Sequence, residues 1–153
     1  MHPLAGKHAY VTGASRGIGK AVATELARLG ARLTLAARDE DLLRQNAESL
    51  AAEHGVVAEV VKIDLQDTGS LTLPDAVDIL VNNAGIAPSA PFEKHSLPDW
   101  QDTFSTNVTA TFRLSQLALP HMREQGWGRI VNVASTAGPV SYTHLTLPTT
   151  SRV

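Results

Sequence analysis

The chain has 153 residues, 43% of them apolar and 18% charged, with a net charge of −2, which is enough for one domain with a real core. A slightly acidic chain without a basic run has no electrostatic footprint for nucleic acid or an anionic membrane, so neither is expected as a partner. Cysteine is absent, which excludes disulfides and thiolate metal sites, and no apolar run approaches the roughly 18 residues that cross a bilayer.

An apolar run starts within eight residues of Met1, leaving no room for a signal peptide, so the expected location is the cytoplasm. That run, HAYVT (8–12), is a short β-branched strand followed at once by glycines. From Gly17 the period changes: Ile18, Val22, Leu26 and Leu29 share a helical face, and Gly30 is placed to stop the helix. ARLTLAA (31–37) returns to strand. Residues 39–55 open with acids that suit a helix N-terminus, carry Leu43, Ala47 and Leu50 on one face, and close at Gly55. VVAEVVKI (56–63) and VDILVN (77–82) read as the third and fourth strands. The connection between them, broken by Gly69 and Pro74, has room for a stub of helix only.

Residues 96–126 read as one long helix. Ser96 with Asp99 forms a capping box, Pro98 suits a first turn, and Trp100, Phe104, Val108 and Phe112 recur every four residues. Pro120 should bend or interrupt it. GRIVNVAS (128–135) is a fifth strand. Apolar strands alternating with helices predict an α/β fold, a doubly wound parallel sheet covered on both faces.

Thr12-Gly13-Ala14-Ser15-Arg16-Gly17-Ile18-Gly19 links the first strand to the first helix. Glycines let the backbone turn sharply and approach a ligand, and the free N–H groups of a helix start attract phosphate. The spacing G-x-x-x-G-x-G differs from the common dinucleotide fingerprint. Taken alone, the loop is either a phosphate site or a tight turn without a ligand. No Gly-Lys-Ser/Thr follows, so it is not a P-loop.

Further motifs stand on the later elements: Asp64-Leu65 after the third strand, Asn82-Asn83-Ala84-Gly85 after the fourth, Asn107 in the long helix, and Ser135 after the fifth. Together with the glycine loop, over residues 5 to 139, the chain resembles the short-chain dehydrogenase/reductase family, with TGASRGIG and GRIVNVAS leaning toward its 3-oxoacyl-carrier-protein reductases. The resemblance implies a Rossmann-type sheet in the order 3-2-1-4-5. It implies that Gly13, Ser15, Arg16, Gly17, Ile18 and Gly19 shape a pyrophosphate loop, that Asp64 and Leu65 border the adenine, and that Asn83, Ala84 and Gly85 lie along the cofactor ribose. Asn107 would help hold a water in a proton relay, and Ser135 would hydrogen-bond a substrate carbonyl or alcohol. A small-molecule substrate and, for the full-length protein, a homo-oligomer follow from the same resemblance.

The end of the second strand selects the cofactor. An acid there binds the ribose hydroxyls of NAD, and arginine accommodates the 2′-phosphate of NADP. Ala37 stands where the acid would fall, followed by Arg38, with Arg16 in the glycine loop. Two guanidiniums can clamp a phosphate, so NADP(H) is expected over NAD(H), with Asp39 as the group that could neutralise Arg38. The six histidines show no metal-ligand spacing.

Hydride transfer to a carbonyl leaves an alkoxide that needs an acid. Tyrosine, with an ordinary pKa near 10, serves if a cation lowers it. The family supplies Tyr-x-x-x-Lys. Here the tyrosines are Tyr10 and Tyr142, followed four positions on by Ala14 and Thr146, and the four lysines, Lys7, Lys20, Lys62 and Lys94, all precede Ser135. Only seven positions separate Ser135 from Tyr142, less than the family spacing, and Pro148 stands where the tyrosine should fall. The chain as written is therefore expected to lack the catalytic tyrosine and lysine. Residues 1–139 read as an incomplete NADP-binding domain, cut after the fifth strand, and residues 140–153 as a non-native or divergent tail. VSYTHLTLPT is what in-frame translation of a sequencing-library adapter would give, so adapter read-through is the expected origin of that tail.

Overall fold

The computed structural model describes residues 2–135; Tyr142, Pro148 and the whole 140–153 stretch lie outside them. Five strands, β1 (His8–Thr12), β2 (Arg32–Ala37), β3 (Ala58–Lys62), β4 (Ile79–Asn82) and β5 (Arg129–Asn132), form one parallel sheet in the order β3-β2-β1-β4-β5. This is the expected order. Alternate residues of the strands serve two cores. Ala9, Val11, Leu33, Leu35, Ile79 and Val81 face α1 (Gly17–Arg28) and α2 (Glu40–His54), while Tyr10, Ala36 and Leu80 meet α4 (Ala110–Glu124) on the other face. Burial on both faces is why these strands read as continuous apolar runs.

The helices correct several readings. In α1 the face against the sheet is Gly19, Ala23 and Ala27; Val22 and Leu26 flank it, and Ile18 is 63% exposed. Small residues let this helix lie close to β1, so its contact stripe is rotated from the one its larger residues suggest. In α2, Asp39 caps the start by accepting the Leu42 N–H, and Gly55, at φ +67°, closes the end. Residues 63–78 contain no helix, only turns, and Leu65, Leu71 and Val77 pack from them into the second core.

The expected long helix is three pieces: α3 (Leu97–Phe104), a π turn (Ser105–Thr109) and α4. The Ser96–Asp99 capping box is present. Pro120 lies inside α4 without interrupting it; its ring faces outward on an exposed stretch. The stripe Trp100, Phe104, Val108 and Phe112 does not face the core. These residues are 62%, 48%, 48% and 64% exposed, and the sheet is met by Ala110, Leu114, Ala118 and Met122. Both sets repeat every four residues, so periodicity could not choose between them.

At the amino ends of the strands, His8 is buried with its ring nitrogens 2.8 Å from the Ala76 carbonyl and the Thr34 hydroxyl. The neighbouring Asp78 carboxylate accepts the His8 N–H at 2.9 Å and has Lys7 and His121 at 3.4 and 3.5 Å. Among the described residues no helix of the protein is long and apolar enough to cross a membrane.

Candidate dinucleotide site

The opposite edge of the sheet, at the carboxyl ends of β1, β2 and β4, opens on a cavity of about 430 Å³. This is where an open α/β sheet offers its ligand crevice. The walls are Gly13, Ser15 and Arg16 from the glycine loop, Ala36 to Asp39 from the end of β2, Ile63 to Gln66 after β3, Asn83 to Ile86 after β4, and Thr106 from the π turn.

The loops are tied together through Thr12. Its buried hydroxyl donates to the Val81 carbonyl at 3.3 Å and accepts the Asn83 and Ala84 N–H groups, each at 3.0 Å. The Asn83 side chain donates back to the Thr12 carbonyl at 2.9 Å. The glycines are required by closeness as well as by turn geometry. Gly13 sits at φ +66°, and a Cβ there would come 2.8 Å from Asn83 Nδ2; one on Gly19 would come 2.3 Å from the Gly13 carbonyl oxygen. The other asparagine of the pair, Asn82, donates to Asn132 Oδ1 at 2.9 Å and so joins β4 to β5. Asp64 accepts the Gln66 N–H at 3.0 Å, closing the turn that buries Leu65 beside the cavity.

Asn107 sits on the π turn and exchanges two hydrogen bonds with the backbone of Ile86: it accepts the N–H at 2.9 Å and donates to the carbonyl at 2.8 Å. Single π turns recur at functional sites because the extra residue redirects side chains. Ser135 lies three positions past the end of β5, exposed, and does not line the cavity.

Nine of the expected cofactor residues therefore share one cavity: Gly13, Ser15, Arg16, Arg38, Asp64, Leu65, Asn83, Ala84 and Gly85. Gly17, Ile18 and Gly19 do not line it; Gly17 and Gly19 serve the loop-to-helix junction and Ile18 projects outward. Among the residues given no role from the sequence, three stand out. Thr12 anchors the loops, Thr106 lines the cavity, and Asn46 donates to the carbonyls of Ala14 and Ser15 at 3.2 and 2.9 Å. The signal for Asn46 was available: it interrupts the apolar face Leu43, Ala47, Leu50 at helical spacing.

The donors around the cavity suit an anion. Among the described residues neither Arg16 nor Arg38 forms an ion pair, and the Asp39 carboxylate is engaged at the start of α2.

A family model described as short chain dehydrogenase matches residues 7–152. The chain is 39% identical over 143 residues to the 3-oxoacyl-[acyl-carrier-protein] reductase FabG of Aquifex aeolicus, an alignment covering 88% of this chain and 58% of that protein. A short-chain dehydrogenase from Sphingobium yanoikuyae in complex with NADPH superimposes with a TM-score of 0.81 at 35% identity, over 86% of this chain and 54% of that one. L-Sorbose reductase from Gluconobacter frateurii, complexed with NADPH and L-sorbose, gives 0.83 at 33% identity, over 93% and 58%. The chain belongs to the short-chain dehydrogenase family. It spans little more than half the length of these relatives.

Proposed function

We propose that the chain forms the dinucleotide-binding portion of an NADP(H)-dependent oxidoreductase that interconverts a small-molecule carbonyl and a secondary alcohol, in the manner of a 3-oxoacyl reductase. The observation that carries this reading is a glycine loop and two guanidiniums, Arg16 and Arg38, on one cavity, neither in an ion pair among the described residues. The groups present fit the cofactor. Backbone amides and guanidiniums are the donors a pyrophosphate and a phosphate monoester take. Ala37 stands where an acid would bind the ribose hydroxyls of NAD, the Asp39 carboxylate on the same wall is engaged by the Leu42 N–H, and Leu65 with Ile63 offers an apolar wall to a base. The two similar structures that hold NADPH support the same choice.

When bound, the nicotinamide would supply or accept a hydride at the substrate carbon. The chain's own part is to hold the phosphates at the glycine loop, to fix the loop after β4 through Thr12 and Asn107, and to present the Ser135 hydroxyl to the substrate oxygen. Asn107 would also steady a water on the proton path. No lysine follows Ser135 to lower a tyrosine pKa, so the sequence as written favours a second reading as a cofactor-binding module without turnover. The homo-oligomer and a cytoplasmic location belong to the same proposal for the full-length protein.

NADPH at a hundredfold its Kd should add about 2.7 kcal/mol of stability, a rise of roughly 5–10 °C in Tm for a domain of this size. Arg38→Ala and Arg16→Ala should each weaken NADPH binding about tenfold or more, the range of a charge-assisted hydrogen bond, and spare NADH. Equal losses for the two cofactors would refute the NADP assignment. NADPH oxidation with a panel of ketones should be undetectable; turnover that survives Tyr142→Phe would refute the missing-acid argument. For residues 140–153, native genomic sequence beneath those codons would refute adapter read-through; the family match does run into that stretch.

A further inference from the structure

We propose that Asn46 is a positioning residue that holds the glycine loop in its anion-facing shape and locks that loop to α2, the helix that Arg38 precedes. The loop readout below stands on the unliganded protein; the cofactor readout rests on the dinucleotide reading above.

Asn46 occupies the inner face of α2 among Leu43, Ala47 and Leu50 and is 6% exposed. A buried amide is costly unless it is bonded, and a leucine would suit this face better. The side chain is instead aimed at the loop. Its Nδ2 donates to the Ala14 carbonyl at 3.2 Å and to the Ser15 carbonyl at 2.9 Å.

These carbonyls lie between β1 and α1, where no ladder takes them. All peptide bonds in the described chain are trans, and in a trans peptide the carbonyl and the following N–H point opposite ways. Drawing the Ala14 and Ser15 carbonyls toward α2 therefore turns the Ser15 and Arg16 N–H groups away from it. Among the described residues neither N–H has an acceptor. Consecutive amides turned to one side form a concavity for an anion. The same two bonds join the segment that carries Arg16 to the helix that Arg38 precedes, so they set both guanidiniums against one frame.

The test uses the full 153-residue chain with two substitutions. Asn46→Asp keeps the shape and removes the donor; Asn46→Leu keeps the volume and removes both polar atoms. In the unliganded wild type, the Asn46 side-chain protons should be protected from exchange, and the Ser15 and Arg16 amides should show order parameters near 0.85. Both variants should bring these amides toward 0.6 or below and weaken NADPH binding about tenfold, with a smaller loss for NADH. Amides that stay rigid in both variants would overturn the proposal. So would Asn46 protons that exchange at the solvent rate in wild type, the arm that decides if the variants do not fold. A wild type with a rigid loop and a protected Asn46 that binds no NADPH would refute the cofactor reading and support the loop assignment.

Discussion

The two sides of this sheet are finished to different degrees. Around β3, β2 and β1, the small face of α1 and the Leu43, Ala47 and Leu50 face of α2 close the first core, and the large hydrophobics left outside are Ile18 and Val57. Around β4 and β5 the exposed set is Leu97, Trp100, Phe104, Val108, Phe112, Leu119, Val131 and Val133. Ile130 of β5 packs on the second core, but Val131, on the reverse face beside Val81, is 49% exposed. The side that carries the glycine loop closes with its own residues. The side that carries Asn107 and Ser135 presents, among the described residues, an apolar surface, a feature that favours association.

The comparison can be broken by substitution, most severely on the finished side. Gly19→Ala places a Cβ 2.3 Å from the Gly13 carbonyl oxygen. It should cost about 3 kcal/mol, the upper range for overpacking, and abolish NADPH protection; denaturation showing less than about 1 kcal/mol would mean the loop can give way. Thr12→Val removes one donor and strands the Asn83 and Ala84 amides. A loss of about 2–3 kcal/mol is expected from buried groups left unpaired, largely restored in Thr12→Ser.

Acid should act on the far edge of the sheet. Burial, with Arg32 nearby, holds the His8 pKa below the ordinary histidine value. The unfolded chain therefore takes up that proton first, and stability declines as pH falls below about 6.5. Burial raises the Asp78 carboxyl, but the His8 N–H, Lys7 and His121 outweigh it and bring the pKa below its usual value. Its contribution is full above the unfolded pKa and is lost as pH drops through the lower folded one. A Tm series in which His8→Gln leaves the decline between pH 6.5 and 5 unchanged would contradict this.

Smaller effects sharpen the contrast. Tyr10 is fully buried, with no hydrogen-bond partner for its hydroxyl among the described residues, and burial pushes its pKa up to about 12. Tyr10→Phe should be neutral or stabilise by about 1 kcal/mol, since an unsatisfied group is removed. Phe104→Gln on the exposed stripe should change stability by less than about 0.5 kcal/mol while raising solubility; a large loss on denaturation would show that the stripe is packed after all.

Much of the candidate site was legible because it is local. The glycine loop, Arg38, Asp64-Leu65 and Asn83 to Gly85 each follow directly on a strand, and a parallel sheet brings all its carboxyl ends to one edge. What could not be read were contacts between segments far apart in the chain. Thr12 reaches Asn83 and Ala84 across 71 and 72 positions, and Asn46 reaches the glycine loop across 31 and 32. The π turn was also hidden, because one inserted residue leaves the apolar period on either side intact.

Period, turn chemistry and motif order are properties of neighbouring residues, so the strand–helix alternation and the loops that gather at the carboxyl edge of the sheet followed from the sequence. The tertiary structure alone decided which of two apolar stripes meets the sheet, which glycines are set by contact, and which polar side chains are fasteners. Those depend on how closely two backbones approach. Ala110, Leu114, Ala118 and Met122 go inward and Phe104, Val108 and Phe112 outward, a choice set by how the helix seats on the sheet, which no single segment carries.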